Sequence, residues 1–407
     1  MNTDGIKLYK YRWLVLFVYF LLTAVIEIQW IMIAPVTGDA VKFYNVSELE
    51  IGLLSMIFMI VYIIISIPVS YIIDTWGIKI GIGIGALLTG IFGFTKGMYA
   101  DSYTILCVTQ VGLAVAQPFI LNACTRLAAE WFPVNERATA AGISTLGQYV
   151  GIIIVMETVP RMLAGFGIPG IARFYGFATL AVAVAFLIII REKPPTPPCH
   201  AGHEERMGAV SGFKHIWKQG SMVFLLGLFF IGLGMFNAIT TWIEQIISTR
   251  GFSPIDAGNL ASVMFIGGII GAAVLSTLSD KYRRRKPFLI ACMAFSIPGL
   301  IGLAFATSYW LLMASGFVFG FFIMSAGPIG FQYAAEISYP APESTSQGLI
   351  LMMGQISGIL FIVGMDMFRA GSTRSMAPSM LVFVFLSILA VGMCMKLRES
   401  DVVKTGL

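Results

Sequence analysis

Hydrophobic positions dominate this chain and occur in long runs that short polar stretches separate. Twelve of the runs approach or exceed the ~20 apolar residues that an α-helix needs to cross a bilayer. The pattern therefore predicts an all-α membrane protein of twelve transmembrane helices, which we call segments one to twelve. They cover roughly residues 12–36, 50–73, 78–98, 103–127, 137–160, 170–190, 221–247, 257–279, 287–306, 309–335, 345–367 and 376–396.

One long polar stretch, residues 191–220, divides the segments into six and six. Its prolines cannot continue a helix, so it is expected to begin as an extended linker. The predicted organisation is an N-terminal half over residues 1–190, the linker, and a C-terminal half over residues 221–407.

The two halves repeat one another at an offset of 206 to 207 residues. "AAEWFPVNERATAAG" (128–142) is similar to "AAEISYPAPESTSQG" (334–348), and "GQYVG" (147–151) is similar to "GQISG" (354–358). A repeat of six helices is typical of transporters built from two halves that a pseudo-two-fold axis relates.

Composition and charge agree with this prediction. Hydrophobic residues make up 57% of the chain and charged residues 12%, with a mean hydropathy of +0.86, whereas soluble domains carry about 25% charged residues. Most of the 26 Lys and Arg residues fall on the side of the N-terminus, which places both termini in the cytoplasm. We expect a multi-pass protein of the plasma membrane. The net charge of +5 reports loop orientation more than an anionic partner, and we expect no nucleic-acid partner.

Several chemical functions are excluded. "GIGIGA" (81–86) lacks the Lys-Ser/Thr of a phosphate-binding loop, and the three histidines all lie in the linker, so neither an ATPase nor another enzyme is expected. Cys199, His200 and His203 form an incomplete ligand set. We expect no metal and no cofactor, and transport that is secondary or facilitated by a monomer.

Ionisable residues inside apolar segments are the best functional pointers because each is costly to bury in a membrane. Glu27 lies nearest the middle of its segment and shares a helix face with Trp30. Asn237, Thr241 and Glu244 share a face of segment seven, together with Thr240. Lipid cannot solvate such a polar stripe, so it is expected to line a cavity. Four other ionisable residues lie near the external ends of their segments, where water at a solvated mouth of the pathway would account for their charge. They are Lys96, Glu157, Glu244 and Asp366.

The repeat pairs Trp30 with Asn237 and Gln148 with Gln355. These four residues are expected to converge near the membrane centre between the halves, with Tyr62 as a weaker addition. Their side chains suit a small organic cation, since a tryptophan face attracts a quaternary ammonium group. Glu27 and Glu244 would then supply a counter-charge or carry a coupling proton, although Glu27 could instead be a carboxyl capped by its neighbours for stability.

Charged residues also cluster at the cytoplasmic ends of the segments, where ion pairs could gate the pathway. These residues are Arg126, Glu130, Arg137, Glu336 and Glu343.

The twelve segments, the central loop, and the Asp-plus-basic loops "DTWGIK" and "DKYRRRK" resemble the major facilitator superfamily. That resemblance implies alternating access, with Asp74 and Asp280 in loop charge clamps and Arg284 among the basic partners. The loop at Asp74 departs from the usual motif because Trp76 and Lys79 replace most of its basic residues.

More specifically, "IQWI", "ACTRLAAEWFPVNERATA", "GPIGFQYAAEISYP" and "GQISGIL" resemble the feline leukaemia virus subgroup C receptor family. The resemblance implies transport of choline, ethanolamine or haem, with Trp30, Gln148 and Gln355 at binding positions. Where that family has a tyrosine, this chain has Asn237, and the loss of an aromatic wall favours a ligand with more hydrogen-bonding groups.

The sequence thus predicts a transporter of a small organic cation or zwitterion such as choline or ethanolamine. Two alternatives stay open. One is a proton-coupled transporter of another small metabolite, an organic anion, a drug or haem, and the other is a receptor or scaffold that keeps the fold without transporting.

Overall fold

The computed structural model describes residues 8–196, 219–338, 343–369 and 375–399, and for residues 74, 134, 135, 138 and 343–345 it describes the backbone alone. This part of the chain is helical throughout its regular elements, so the prediction of an all-α fold is confirmed. The chain divides into two compact units, Met1–His203 and Glu204–Leu407.

The described part of the first unit contains six α-helices and a short 3₁₀ helix, Ala34–Val36. The helices are α1 Tyr11–Ile31, α2 Thr37–Tyr44, α3 Glu48–Met98, α4 Tyr103–Leu121, α5 Cys124–Trp131 and α6 Val134–Ile189.

The second unit contains seven described α-helices. They are α7 Gly220–Thr241, α8 Ile243–Ser248, α9 Pro254–Tyr282, α10 Lys286–Phe305, α11 Tyr309–Ser338, α12 Glu343–Met367 and α13 Ala377–Lys396.

Eleven helical stretches in the described chain are long and apolar enough to cross a membrane. The longest, Thr139–Ile189, has 51 residues and covers predicted segments five and six, which the sequence separates. Gly167 interrupts it at a φ of +60°, in the left-handed region that favours glycine. Gly77 interrupts α3 in the same way at a φ of +87°, between predicted segments two and three.

Segment one is also interrupted, and Pro35 explains where. A proline ring clashes with the carbonyl four residues earlier and has no N–H to donate, and that earlier residue is Ile31, the last residue of α1. The helix therefore stops inside the predicted segment, and a 3₁₀ turn continues it. In segment seven, α7 ends at Thr241 and α8 begins at Ile243.

The repeat in the sequence reappears as matching helix caps. Ser47 and Glu50 form a capping box at the start of α3, and Ser253 and Asp256 form one at the start of α9. In each box, the serine hydroxyl accepts from a backbone N–H while the carboxylate accepts from the serine N–H, which satisfies two donors that the helix leaves unbonded. Local sequence thus starts the second predicted segment of each unit in the same manner.

A second contact that repeats between the units joins a carboxylate to the backbone N–H groups at the start of a helical stretch. The Glu192 carboxylate, just after α6, accepts hydrogen bonds from the backbone N–H groups of Ile78 and Lys79 at 3.0 and 2.8 Å. The Glu399 carboxylate, just after α13, accepts from the backbone of Arg285 and Lys286 in the same way. Glu192 and Glu399 are 207 positions apart, as are the N–H groups that they bind. A carboxylate at a helix N-terminus is stabilised by the helix dipole.

Packing inside each unit relies on close helix pairs. In the first unit, α1 packs on α6, and α3 packs on both α4 and α6; in the second, α7 packs on α12, α9 on α11, and α10 on α11 and α13. Several of these contacts require glycine. A Cβ on Gly147 would lie 2.6 Å from the Phe20 carbonyl oxygen, and a Cβ on Gly354 would lie 2.7 Å from the Leu233 side chain.

Candidate functional site

Trp30 lies in the last turn of α1, and the structure fixes the orientation of its ring. The side chain is 9% exposed, and its indole Nε1–H donates to the Ser55 carbonyl of α3 over 3.3 Å. The hydrogen bond satisfies the one polar atom of the ring.

Glu27 lies one turn before Trp30 and is buried inside the first unit, with 4% of it exposed. The Gln117 side chain of α4 donates from Nε2 to Glu27 Oε1 over 3.2 Å. The Tyr149 hydroxyl on α6 lies close enough to interact with this carboxylate electrostatically. Three helices therefore surround a carboxylate that has one amide donor and a phenol beside it.

Gln148 and Gln355 occupy matching positions in the two units and share an unusual state. Both side chains are partly exposed, and neither makes a hydrogen bond to the described residues. Each follows a glycine that packs against the neighbouring helix, so the glutamine points about 100° away from that contact. The sequence predicted these two residues as a pair, and their equal surroundings agree with the repeat.

Asn237 takes the place in the second unit that Trp30 takes in the first. It is partly exposed, and its Nδ2 donates to the Gly354 carbonyl over 3.3 Å. Because Gly354 precedes Gln355, this bond places the two amides on adjoining parts of α7 and α12. The Asn237 amide oxygen would be available to accept a hydrogen bond from a ligand.

The rest of the predicted stripe in segment seven behaves differently. Thr240 and Thr241 are buried, and the Thr240 hydroxyl donates to the Phe236 carbonyl. Glu244 is 6% exposed and accepts from the Gln245 side chain over 3.2 Å. Since a turn at Trp242 separates α7 from α8, the spacing no longer places Glu244 on the Asn237 face. The interpretation of Glu244 as a group at a solvated mouth is wrong within this unit.

Tyr62 is nearly buried in α3 and belongs to a network that supports the break between α4 and α5. Its hydroxyl donates to Asn122 Oδ1 over 2.9 Å, and the Asn122 amide donates to the hydroxyls of Ser66 and Ser70, each over 3.1 Å. Asn122 follows the last residue of α4. In this structure the Tyr62 hydroxyl therefore links α3 to the end of α4.

Sequence reasoning missed a polar cluster around Lys96. The side chain is 1% exposed, and its Nζ donates to the Gln29 carbonyl over 2.8 Å and to Gln110 Oε1 over 3.0 Å. The expectation of a solvated mouth is therefore wrong for Lys96 as well. A signal existed, because Gln29 and Gln110 are amides inside apolar segments and such groups need partners.

Two arginines that the sequence assigns to the cytoplasmic ends of the first unit, Arg126 and Arg137, bind backbone carbonyls. Arg126 donates to the Ile73 carbonyl over 2.8 Å and lies 4.0 Å from Glu130. Arg137 donates to the carbonyls of Ala129 and Phe132. These bonds cap the ends of nearby helices. The side chains of Asp74 and Glu343, and the Cys199, His200 and His203 set, lie outside the described residues.

In the second unit, Arg285 is the centre of a buried charge cluster. Its guanidinium donates from Nε and Nη2 to Glu336 Oε1 over 3.1 and 2.9 Å, and from Nη1 to Ser279 and Asp280. Burial lowers the pKa of Arg285, but the bonds to Glu336 and Asp280 raise it by more. The neighbouring Arg284, which the sequence nominated, is exposed. Arg285 thus makes the contacts with Asp280 and Glu336.

The chain matches the model of the Major Facilitator Superfamily over residues 15–362 and 224–402. Solute carrier family 49 member A3 of Xenopus tropicalis is 30% identical, with 88% of this chain and 78% of the relative covered. The choline/ethanolamine transporters flvcr2b of Danio rerio and FLVCR2 of Homo sapiens are each 26% identical, with 89% and 88% of this chain and 79% and 72% of the relatives covered.

Solved structures agree at the level of the fold. A D-xylose-proton symporter has a TM-score of 0.74 at 16% identity and covers 96% of this chain and 99% of its own. A bacterial homologue of the human lysosomal transporter Spinster, inward-facing and unoccupied, has a TM-score of 0.72 at 17% identity, with 95% and 97% covered. The predicted resemblance is confirmed by these matches, and the chain belongs to the major facilitator superfamily of multi-pass membrane transporters, with relatives among the choline/ethanolamine transporters.

Proposed function

We propose that this protein carries a small organic cation or zwitterion, of the choline and ethanolamine class, across the plasma membrane by alternating access. Transport would be facilitated or secondary, with both termini in the cytoplasm, a twelve-helix arrangement of two related halves, and a monomer as the working unit. The names of the relatives support the substrate class. For this chain, the proposal rests on Gln148 and Gln355, whose side chains are partly exposed and make no hydrogen bond to the described residues.

An amide side chain with no partner is unstable against lipid, because lipid offers no hydrogen bonds. Three buried glutamines in the described part of the chain reduce this cost by donating from the amide nitrogen to protein: Gln29 donates to Thr179, Gln117 to Glu27, and Gln245 to Glu244. The amide oxygens of Gln29 and Gln245 stay unbonded within the described residues. Gln148 and Gln355 are the contrast, partly exposed and unbonded within the described residues. They are best explained as groups that bind water or substrate in the transport pathway.

Trp30 and Asn237 add selectivity to this pair of amides. An indole face attracts an ammonium group with about 0.5–2 kcal/mol, and more when the contact is dry. Asn237 offers an amide oxygen instead of a second aromatic wall. That combination favours an amine whose N–H or hydroxyl group can donate a hydrogen bond, and we expect ethanolamine to bind at least as well as choline.

The Glu27 carboxylate supplies the negative charge that balances the cation in the low dielectric of the protein interior. A proton on this carboxylate would remove that charge, which gives a route to proton coupling. Glu244, buried in the second unit, is a second carboxylate of this kind. The rival interpretation of a scaffold without transport accounts less well for the two unbonded glutamines, since a scaffold gains nothing from them.

Thermal stability with added ligands tests the proposed function. The purified protein should melt at a temperature about 5 °C higher with saturating choline or ethanolamine, since a ligand at 100 times its Kd stabilises by about 2.7 kcal/mol. Gln148→Ala and Gln355→Ala should each lose most of that shift. Betaine, polyamines, haem and amino acids serve as competing ligands.

Gln332→Ala is the matched control, because Gln332 is an exposed glutamine near the end of α11 that bonds to Glu336. It should keep the ligand-induced shift in full. If no amine stabilises the parent protein while haem or an anion does, the substrate class is wrong and only membrane transport by this family remains.

A further inference from the structure

The broken end of α1 leaves a group of backbone carbonyls without helical partners. The last carbonyls of a helix carry partial negative charge and need donors from elsewhere. Gln110 on α4 supplies one donor: its Nε2 lies 3.3 Å from the Gln29 oxygen, 3.2 Å from the Trp30 oxygen and 3.2 Å from the Leu54 oxygen. This amide therefore joins α1, α3 and α4 at one point.

Lys96 supplies the positive charge at the same point. Its ammonium group donates to the Gln29 carbonyl over 2.8 Å and to Gln110 Oε1 over 3.0 Å. Among the described residues no carboxylate lies within ion-pair distance of Lys96. The partners of this buried cation are thus neutral oxygens: a helix-end carbonyl and a side-chain amide.

Neutral oxygens at the end of a broken helix are the ligands that coordinate sodium ions in other secondary transporters. We propose that the Lys96 ammonium is a tethered substitute for a bound monovalent cation at the end of α1, and that it positions the backbone of Gln29 and Trp30. Lys96 thus has a structural role, and its effect on substrate binding would be indirect, through the position of Trp30. Only this effect on substrate binding rests on the proposed function.

In the second unit, an arginine binds the carbonyls at the helix ends. Arg250, which follows α8, donates from Nη1 to the Ala306 carbonyl over 2.7 Å and from Nη2 to the Leu303 and Ile246 carbonyls over 2.7 and 3.2 Å. Leu303 lies 207 positions after Lys96. In both units, a cation therefore links the first and third predicted segments through helix-end carbonyls, although the residue that carries it differs.

A tethered cation can be removed and replaced, which makes the proposal testable. Lys96→Ala deletes the ammonium and leaves a space beside the carbonyls, whereas Lys96→Met deletes the charge and keeps most of the volume. Each variant is heated in detergent with N-methylglucamine, sodium or methylammonium as the chloride salt. Lys42→Ala is the control, since Lys42 is an exposed lysine of the same unit.

In N-methylglucamine, both Lys96 variants should melt roughly 5 °C or more below the parent. Methylammonium or sodium should restore at least half of that loss in Lys96→Ala and none of it in Lys96→Met. The parent and Lys42→Ala should differ between the three salts no more than Lys96→Met does. A Lys96→Ala protein that responds to the salts no more than Lys96→Met would overturn the proposal.

If Lys96→Ala aggregates on extraction, the membranes are extracted in methylammonium chloride. A monodisperse protein is then expected only with that salt, and its absence while Lys96→Met is recovered contradicts the proposal. The deciding comparison is between Lys96→Ala and Lys96→Met in the same salt. Binding of an amine at the proposed substrate site would affect both variants alike, so the result is separate from the choline and ethanolamine experiment. Where the parent binds an amine, the restored Lys96→Ala protein should regain that binding too.

Discussion

Replacing Arg285 with alanine is expected to destabilise the protein by about 3–5 kcal/mol, because it would leave a buried carboxylate without its cation. The Glu336 side chain is 7% exposed, and Arg285 donates two hydrogen bonds to it. In thermal unfolding, the melting temperature should fall by roughly 10 °C. Asp280 is 65% exposed, so water can solvate it after the substitution.

Arg284→Ala is the matched control, since Arg284 is adjacent but exposed. It should change the free energy of unfolding by less than about 0.5 kcal/mol. The double variant Arg285→Met with Glu336→Leu removes both charges and should recover most of the lost stability. Equal losses from Arg284→Ala and Arg285→Ala would show that the buried pair contributes nothing specific.

Glu27→Gln should weaken the binding of choline or ethanolamine by about thirtyfold or more while the fold remains intact. The substitution keeps the shape and an acceptor for the Gln117 amide but removes a charge from the protein interior, where a charge partner is worth about 2–5 kcal/mol. Equilibrium binding of a radiolabelled amine at pH 5.5 and pH 7.5 measures this change. The parent and the variant should melt within a few degrees of each other.

Glu157→Gln provides the comparison, because Glu157 is a partly exposed carboxylate of the same unit that pairs with Arg161 over 2.8 Å. Its affinity for the amine should match that of the parent. If Glu27→Gln binds normally but transport no longer responds to a proton gradient, Glu27 carries the coupling proton and is not the counter-charge. If neither property changes, Glu27 has no part in transport.

The sequence predicted the helices well because a membrane leaves few alternatives to a run of about 20 apolar residues. It also contained the signal for the break after Ile31, since Pro35 follows by four residues, but hydropathy alone extended segment one across it. The equivalence of Gln148 and Gln355 was also predictable, because the repeat fixes which positions correspond.

Partners were harder to predict than positions. Lys96 has the sequence context of an exposed lysine near a helix end, and only tertiary packing brings Gln29 and Gln110 to it. The same limit applies to "RRRK", where the pattern cannot say which of the consecutive arginines points inward. The structure assigns that place to Arg285, because the chain turns at Arg283 with a φ of +52°.

The carboxylates of Glu192 and Glu399, which bind backbone N–H groups in their own units, affect where such a protein can be truncated or fused. Glu192 follows α6 and Glu399 follows α13, yet each binds backbone N–H groups more than 110 residues earlier. The compact unit that holds each carboxylate therefore extends past its last long apolar helix in the described part of the chain. A truncation or fusion point placed at the end of that apolar helix would remove the carboxylate that binds these backbone N–H groups.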